Sequence, residues 1–241
     1  MKKIKNALIL LVFAATALCG LSFISTSKQS EVLADTPDNY YSSVTDSMSG
    51  ETLRSQLHSI INNSSVNQSY DWSRFEAADE DPDNPKNIIT IYARTSLSKS
   101  DHVSGSNGWN REHSFPQSKM SGGDGAKSDN HVIFASDNKV NGKRGNYKLA
   151  DHTGTKPNVY DYKGNLTPCI FTNNTFDPGD TVARGMVARS TFYCAAMYNY
   201  DVEDNIESIE TALKWHLTYK VGDGDKRRND VVYSNQHNRN P

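Results

Sequence analysis

A stretch of about forty residues constrains this chain more than any other, because it changes local structure repeatedly with little room for connections. "WNREHSF", Trp109 to Phe115, reads as extended and is ended by Pro116. The polar loop "QSKMSGGDGAKSD" follows, flexible at Gly122-Gly123, and then a β-branched run, "HVIFA", from His131 to Ala135. Ser136 offers a helix N-cap, one or two turns carry Asn141, and Gly145 stops them. The tight strand pair and its loop let the short helix fold back toward the first strand.

Glu112 and His113 are neighbours in that first strand. Successive strand side chains point to opposite faces, so the two diverge. In-line hydrolysis of a phosphodiester asks for such divergence. A base must meet the attacking water on one side of the phosphorus, and counter-charge must meet the leaving oxygen on the other. Histidine, with an ordinary pKa of about 6.5, suits the base. Glu112 and the side-chain oxygen of Asn141 suit a hard divalent ion, since magnesium keeps several waters and takes only one or two protein carboxylates. One carboxylate and one neutral amide leave the site net positive, which favours a phosphate. From Asn110 to Lys148 there are seven basic against four acidic residues, a local excess suited to a phosphate backbone.

The chain opens with Lys2, Lys3 and Lys5, an apolar run from Ala7 to about Ile24, and Val32-Leu33-Ala34 before Asp35. This is the layout of a cleaved signal peptide over residues 1–34, leaving one exported domain over 35–241. That remainder carries 22 basic against 27 acidic groups. A globally basic nucleic-acid binder is excluded, and polyanion affinity falls to a local patch. Cys169 and Cys194 would allow a disulfide in an exported protein. Cys194, however, lies in a helical pattern where a buried free thiol is the expectation.

Helices are expected over "SGETLRSQLHSII" with Ser49 as cap, from Asp180 through "TVARGMVARSTFYCAAMYNY", and from about Ile206 to Tyr219. "NIITIYAR", Asn87 to Arg94, reads as a strand. In the acidic loop "EAADEDPDNP" Asp79, Asp81 and Asp83 alternate, but Asn84 stands where a calcium loop needs glycine and Thr90 where it needs glutamate. A solvated loop is expected there. The fold class is α+β, two strands and a short helix surrounded by further helices. Arg184 and Arg189 are five residues apart, about 140° around a helix, so at most one faces a given phosphate. Trp109 and Tyr147 suit either stacking on a nucleotide or core packing. His102 and His152 read as surface residues. Two other functions fit parts of the pattern: a zinc hydrolase built on His102, His113 and His131, and a non-catalytic binder of extracellular DNA.

"WNREHSFPQS" and "DNHVIFASDNKVNGKRGNY" together resemble the bacterial secreted endonuclease I family, within the ββα-metal, or His-Me finger, nucleases. The likeness extends to "SGETLRSQLHSII", "NIITIY", "VARGMVARSTFY" and the terminal "RRND" and "NQHNRNP". It implies a ββα-metal core and a non-sequence-specific, magnesium-dependent endonuclease, with calcium or manganese as substitute ions. Its substrate would be DNA and often RNA, cut to 5′-phosphate and 3′-hydroxyl ends. By motif position His113 matches the general base, and Glu112 and Asn141 the metal ligands. Arg144 lies in the "RGN" segment as a candidate for transition-state charge. Arg111, Lys119, Lys143, Arg184, Arg189 and Arg228 become the expected backbone contacts, and Asp129 and His131 the expected support behind the ligands. A secreted monomer is implied, with no membrane and no obligate protein partner. Three departures stand out. Asn130 occupies a position where family members often carry a hydrophobic residue. The loop between the motifs offers Lys119 and Lys127 but no arginine. The chain stops at Pro241, where the family commonly continues with a hydrophobic residue.

Overall fold

The structure is a computed structural model that describes residues 39–62, 70–102, 107–121 and 125–241. The expected signal peptide and the Gly122-Gly123 pair lie outside the described residues. The chain is α+β. Helices α1 (Gly50–Ile61) and α2 (Trp72–Ala78) lead into an antiparallel sheet of β1 (Glu80–Asp81), β2 (Asn84–Ile89) and β3 (Ser96–Ser98). Next come β4 (Trp109–His113), the single turn α3 (Gly125–Ser128), β5 (Ile133–Asp137) and α4 (Asn138–Arg144). A third small sheet, β6 (Lys148–Leu149), β7 (Ile170–Thr172) and β8 (Thr175–Asp177), precedes three helices. These are α5 (Thr181–Tyr198), α6 (Ile209–Thr218) and α7 (Asp223–Gln236). Among the described residues no helix is long and apolar enough to cross a membrane.

The β4–β5 pair is antiparallel, with Arg111 opposite Ala135, Glu112 opposite Phe134 and His113 opposite Ile133. No linker separates β5 from α4. The cap is Asp137 rather than Ser136, because one carboxylate oxygen accepts the amides of both Lys139 and Val140 at 3.0 Å. Ser136 stays in the strand. Gly145 ends α4 at φ 52, in the left-handed region that favours glycine. The expected strand to Arg94 is shorter. β2 stops at Ile89, and Ile91 and Tyr92 turn into the core, where the Ile91 amide donates to the Ala135 carbonyl at 2.8 Å. Ser49 occupies the N-cap of α1 without a side-chain bond.

Helix α5 runs through the middle of the molecule. Val187 and Ala188 belong to one buried cluster with Tyr92, Phe176 and Trp215. Tyr193, Cys194 and Met197 belong to another with Ile61, Phe115 and Val132. Cys169 sits in the first cluster and Cys194 in the second, and both thiols are free. Ile206, expected in the third helix, instead bridges to Leu149, and Ser208 caps α6.

Helix α7 was invisible to apolar periodicity because a charge holds it. Arg228 is buried, pairs with Asp79 and donates to the Asn130 and Ile133 carbonyls. Asp79 also accepts the Ala135 amide at 2.6 Å. The acidic loop is therefore not simply solvated. Asp79 is interior, and Pro82-Asp83 forms the turn of the β1–β2 hairpin. Arg228 is likewise no surface contact for nucleic acid, since its donors are spent on the interior.

Asp129 and His131 also serve the C-terminal segment. Asp129 accepts the hydroxyls of Tyr193 and Tyr198 at 2.6 Å and the Gln236 amide at 2.8 Å. The His131 ring bonds the Asn238 carbonyl at 3.1 Å. None of these bonds reaches Glu112, His113 or Asn141. Burial pushes the His131 imidazole down to about 4, so it folds neutral. A histidine depressed in the folded state contributes stability that is complete above pH ~6.5 and lost as pH falls toward 4. Wild type should therefore lose about 3 kcal/mol across that window, and thermal denaturation against pH should show a flatter profile for His131→Gln. Asn130 is fully buried, and neither its amide nitrogen nor its oxygen finds a partner among the described residues. Asn130→Leu should raise unfolding stability by about 1–3 kcal/mol, read by urea titration.

Candidate active site

Strand parity divides β4. Trp109, Arg111 and His113 share one face, and Asn110 and Glu112 the other. The second face meets α4. Asn141 donates its side-chain amide to the Asn110 oxygen at 2.8 Å and to the Arg111 carbonyl at 3.4 Å. Asn110 in turn donates to Asn138 at 2.7 Å. This relay orients the Asn141 amide, whose carbonyl oxygen has no hydrogen bond among the described residues. Glu112, Asn141 and His113 all line one open cavity of about 420 Å³, joined by Tyr70, Gln117 and Gly145.

The Glu112 carboxyl is buried. Oε1 accepts the Tyr92 hydroxyl at 2.7 Å and lies 3.5 Å from Nε of Arg144. Burial nevertheless outweighs the guanidinium and the hydroxyl, and holds this carboxyl up at about 7. One carboxylate and one amide oxygen at an open cavity form a donor set suited to a hard cation that keeps much of its hydration. His102, His113 and His131 are held by separate partners, Glu76, Lys127 and Asn238. No cluster of three or more His, Cys, Asp or Glu ligands occurs among the described residues, so the zinc reading gains no support.

On the other face of β4, His113 Nε2 lies 2.9 Å from the Lys127 carbonyl. A carbonyl only accepts, so Nε2 carries the proton and Nδ1 keeps the lone pair. The Gln117 amide nitrogen lies 3.2 Å from Nδ1 and 3.0 Å from Nε2. Burial, helped by the charges of Arg111 and Lys127, lowers the imidazole pKa, and the Lys127 bond opposes that shift in part. The ring is neutral at physiological pH.

The arginines divide sharply. Arg144 is buried and donates to the carbonyls of Gly145 and Ser114 and to the Asn205 side chain at 2.7–3.0 Å. Its place is beside Glu112, as a fixed counter-charge and a strut between α4 and β4. Arg184 forks onto Asp177, with Nε at 2.8 Å. Arg189 bonds Asp225 at 2.7 Å and the Tyr219 carbonyl at 2.8 Å. Both helix arginines are thus internal ion pairs, which corrects their expected contact with nucleic acid. Arg111, Lys119 and Lys143 differ, because none has a carboxylate partner among the described residues. Arg111 lies over the rings of Tyr70 at 3.6 Å and Trp72 at 4.0 Å, and Lys143 over Phe171 at 4.1 Å. Lys119 is exposed beside Gln117. Trp109 is core, its indole nitrogen donating to the Ser98 carbonyl at 2.9 Å. His152 bonds the Thr175 hydroxyl at 2.8 Å.

Tyr92, Asn110 and Gln117 escaped the sequence reading. Tyr92 lay within the supposed strand, and nothing local distinguishes it from an ordinary apolar position. Asn110 alone carried a usable signal, being two residues before Glu112 and so on its face.

Sequence comparison assigns these features to the class of nucleases. The sequence model of the Endonuclease I family matches residues 49–241, and the chain belongs to that family. An extracellular ribonuclease of Bacillus amyloliquefaciens is 33% identical over 227 residues, spanning 86% of this chain and 75% of the relative. An extracellular ribonuclease of Bacillus subtilis (strain 168) is 32% identical over 246 residues, spanning 91% and 80%.

The Tyr92 hydroxyl donates to a buried acid. Tyr92→Phe should therefore cost about 2 kcal/mol of unfolding stability, measured by urea denaturation.

Proposed function

We propose that this chain is a secreted, metal-dependent endonuclease that hydrolyses phosphodiester bonds of DNA and RNA without sequence preference. The observation that carries this reading is the divergence of Glu112 and His113 onto two faces of β4 while both line one cavity with Asn141. β4, β5 and α4 are then read as the ββα-metal core. Family membership and the names of the two relatives support a nuclease, and their description as extracellular agrees with the signal peptide expected over residues 1–34.

In this mechanism His113 acts as general base. Its Nδ1 lone pair takes a proton from the attacking water, while the Lys127 carbonyl holds the ring through Nε2–H and steadies the imidazolium that forms. Glu112 Oε2 and Asn141 Oδ1 would hold magnesium, or manganese or calcium in its place. That ion supplies positive charge for the scissile phosphate and the leaving 3′ oxygen. Tyr92 and Arg144 keep the Glu112 carboxylate in position, and Arg144 adds charge beside it. Arg111, Lys119 and Lys143 meet the flanking backbone phosphates, which carry no sequence information. Cleavage leaves 5′-phosphate and 3′-hydroxyl ends.

His113→Ala should cut the rate of plasmid nicking and of RNA cleavage in magnesium by about 10²–10⁴-fold, with affinity for an oligonucleotide nearly unchanged by fluorescence anisotropy. Chelation should abolish wild-type cleavage and magnesium restore it. Near wild-type cleavage by the variant would remove His113 as the base. Binding without cleavage by wild type in every metal would favour the non-catalytic DNA binder.

A further inference from the structure

A second cavity, of about 310 Å³, lies between the β1–β2 hairpin, α5 and the start of α7, and shares no lining residue with the catalytic one. Its charged lining is Arg94, Lys220, Arg227 and Arg228 against Asp79, Glu80 and Asp225. The acids are already engaged. Asp79 pairs with Arg228, Glu80 with Lys99 at 2.6 Å, and Asp225 with Arg189 at 2.7 Å. Three cations are left over. Neither Lys220 nor Arg227 has a carboxylate partner among the described residues, and the Arg227 guanidinium donates only to the Glu80 main-chain carbonyl. Arg94 is the least satisfied. Its side chain is 29% exposed, yet its ion-pair contact, from Nε to Asp180, is stretched to 4.0 Å. Its side-chain hydrogen bond goes to the Met186 sulfur at 3.8 Å, a weak acceptor. Burial pulls this guanidinium below the ordinary arginine pKa, as happens when lost hydration is not replaced.

Helix α7 begins at the same cavity. Gly222 and Gly224 line it, and a Cβ at Gly224 would meet nothing within 4 Å. The Gly222 amide is taken by Asp225 at 3.1 Å, whereas the next amides of the first turn have no intrahelical acceptor. Pro82, Ile89 and Val182 supply an apolar wall beside this cationic end. The volume is at the lower end for small-molecule sites.

Resting on the nuclease reading for the identity of its ligand, we propose that this cavity is a second phosphate-binding site, separate from the catalytic one, for a phosphate group of the nucleic acid or of its products. A guanidinium forks onto two phosphate oxygens, and an ammonium adds a point charge. The open first turn of α7 adds main-chain donors and the positive end of the helix dipole. A phosphate here gives Arg94 the oxygen acceptors that its own fold withholds. The apolar wall fits the sugar attached to such a group. A strand phosphate held there adds affinity without sequence information and without touching the reacting atoms.

The test uses the full chain, in binding and in cleavage. Inorganic phosphate is titrated calorimetrically, with chelator present, into wild type, Arg94→Gln, Lys220→Gln and Arg227→Gln. Cleavage in magnesium is followed on a dinucleotide, whose single phosphate is the scissile one, and on a long strand over a range of salt. Each substitution should weaken inorganic phosphate by about tenfold and leave kcat/KM on the dinucleotide unchanged. If strand phosphates occupy the site, KM on the long strand rises, kcat holds, and the salt slope of strand affinity falls by about one per substitution. Weakened inorganic phosphate with an unchanged strand KM assigns the site to free or terminal phosphate. Phosphate affinity and strand KM both unchanged in all three variants would overturn the site. Lys220 is exposed, so Lys220→Gln should keep the wild-type thermal midpoint and separate binding from folding. Equal losses on dinucleotide and strand in Lys220→Gln would overturn the site as well, because the effect then reaches the catalytic cavity. Wild type that cleaves neither substrate would remove the nuclease reading, and the phosphate titration would still decide this cavity.

Discussion

A carboxylate buried in the middle of a two-stranded ribbon is the constraint around which the surrounding structure is arranged. The Glu112 side chain is almost wholly buried, and a lone buried charge is among the costliest features a fold can carry. Tyr92 reaches it from the turn after β2, and Arg144 from the end of α4. The Arg144 guanidinium is itself tied to three separate oxygens, so it cannot follow the carboxylate if that moves. These partners and the His113 amide reduce the penalty without cancelling it, and the acid lies at a cavity that Asn141 also lines. Incomplete internal satisfaction at an open cavity is the condition under which an external cation adds stability.

Charge is used in two separate ways in this molecule. Arg144, Arg184, Arg189 and Arg228 are interior, each bonded to carboxylates or carbonyls that join distant parts of the chain. Arg228 ties α7 to α2's end and to β5; Arg184 ties α5 to β8. Such pairs fix register and orientation, because a fork-shaped donor fits few geometries. Arg111, Lys119 and Lys143 have no carboxylate partner among the described residues, and of these Arg111 lines the cavity. A count of basic residues in a segment mixes the two populations, although their roles have nothing in common.

The two faces of β4 carry the division of labour. Parity sends Glu112 toward α4 and His113 toward Tyr70 and Lys127, and the cavity opens where both can be reached. His113 is kept neutral by burial and oriented by a main-chain carbonyl, which no substitution of a neighbouring side chain would remove. The ring stacking of Arg111 on Tyr70 and Trp72 joins the His113 face of the strand to the start of α2.

Much of this was legible locally. Alternation along "NREH" determined that Glu112 and His113 diverge, the β-branched "HVIFA" and the following cap residues determined a strand running into a short helix, and Gly145 determined its end. These depend on dihedral preferences and periodicity, which neighbours in the chain control. The helix at 223–236 was hidden because Arg228, rather than an apolar stripe, holds it. The division of the arginines was hidden because charge does not reveal its partner: Asp79, Asp177 and Asp225 lie 149, 7 and 36 residues from theirs. Tyr92 could not be told from any other core tyrosine until the chain brought it, from 20 residues away, onto Glu112. The sequence by itself determined which residues could do chemistry and on which side of a strand each would stand. Only the tertiary structure decided which charges face inward, because burial and pairing are properties of the folded neighbourhood and appear in no window of the chain.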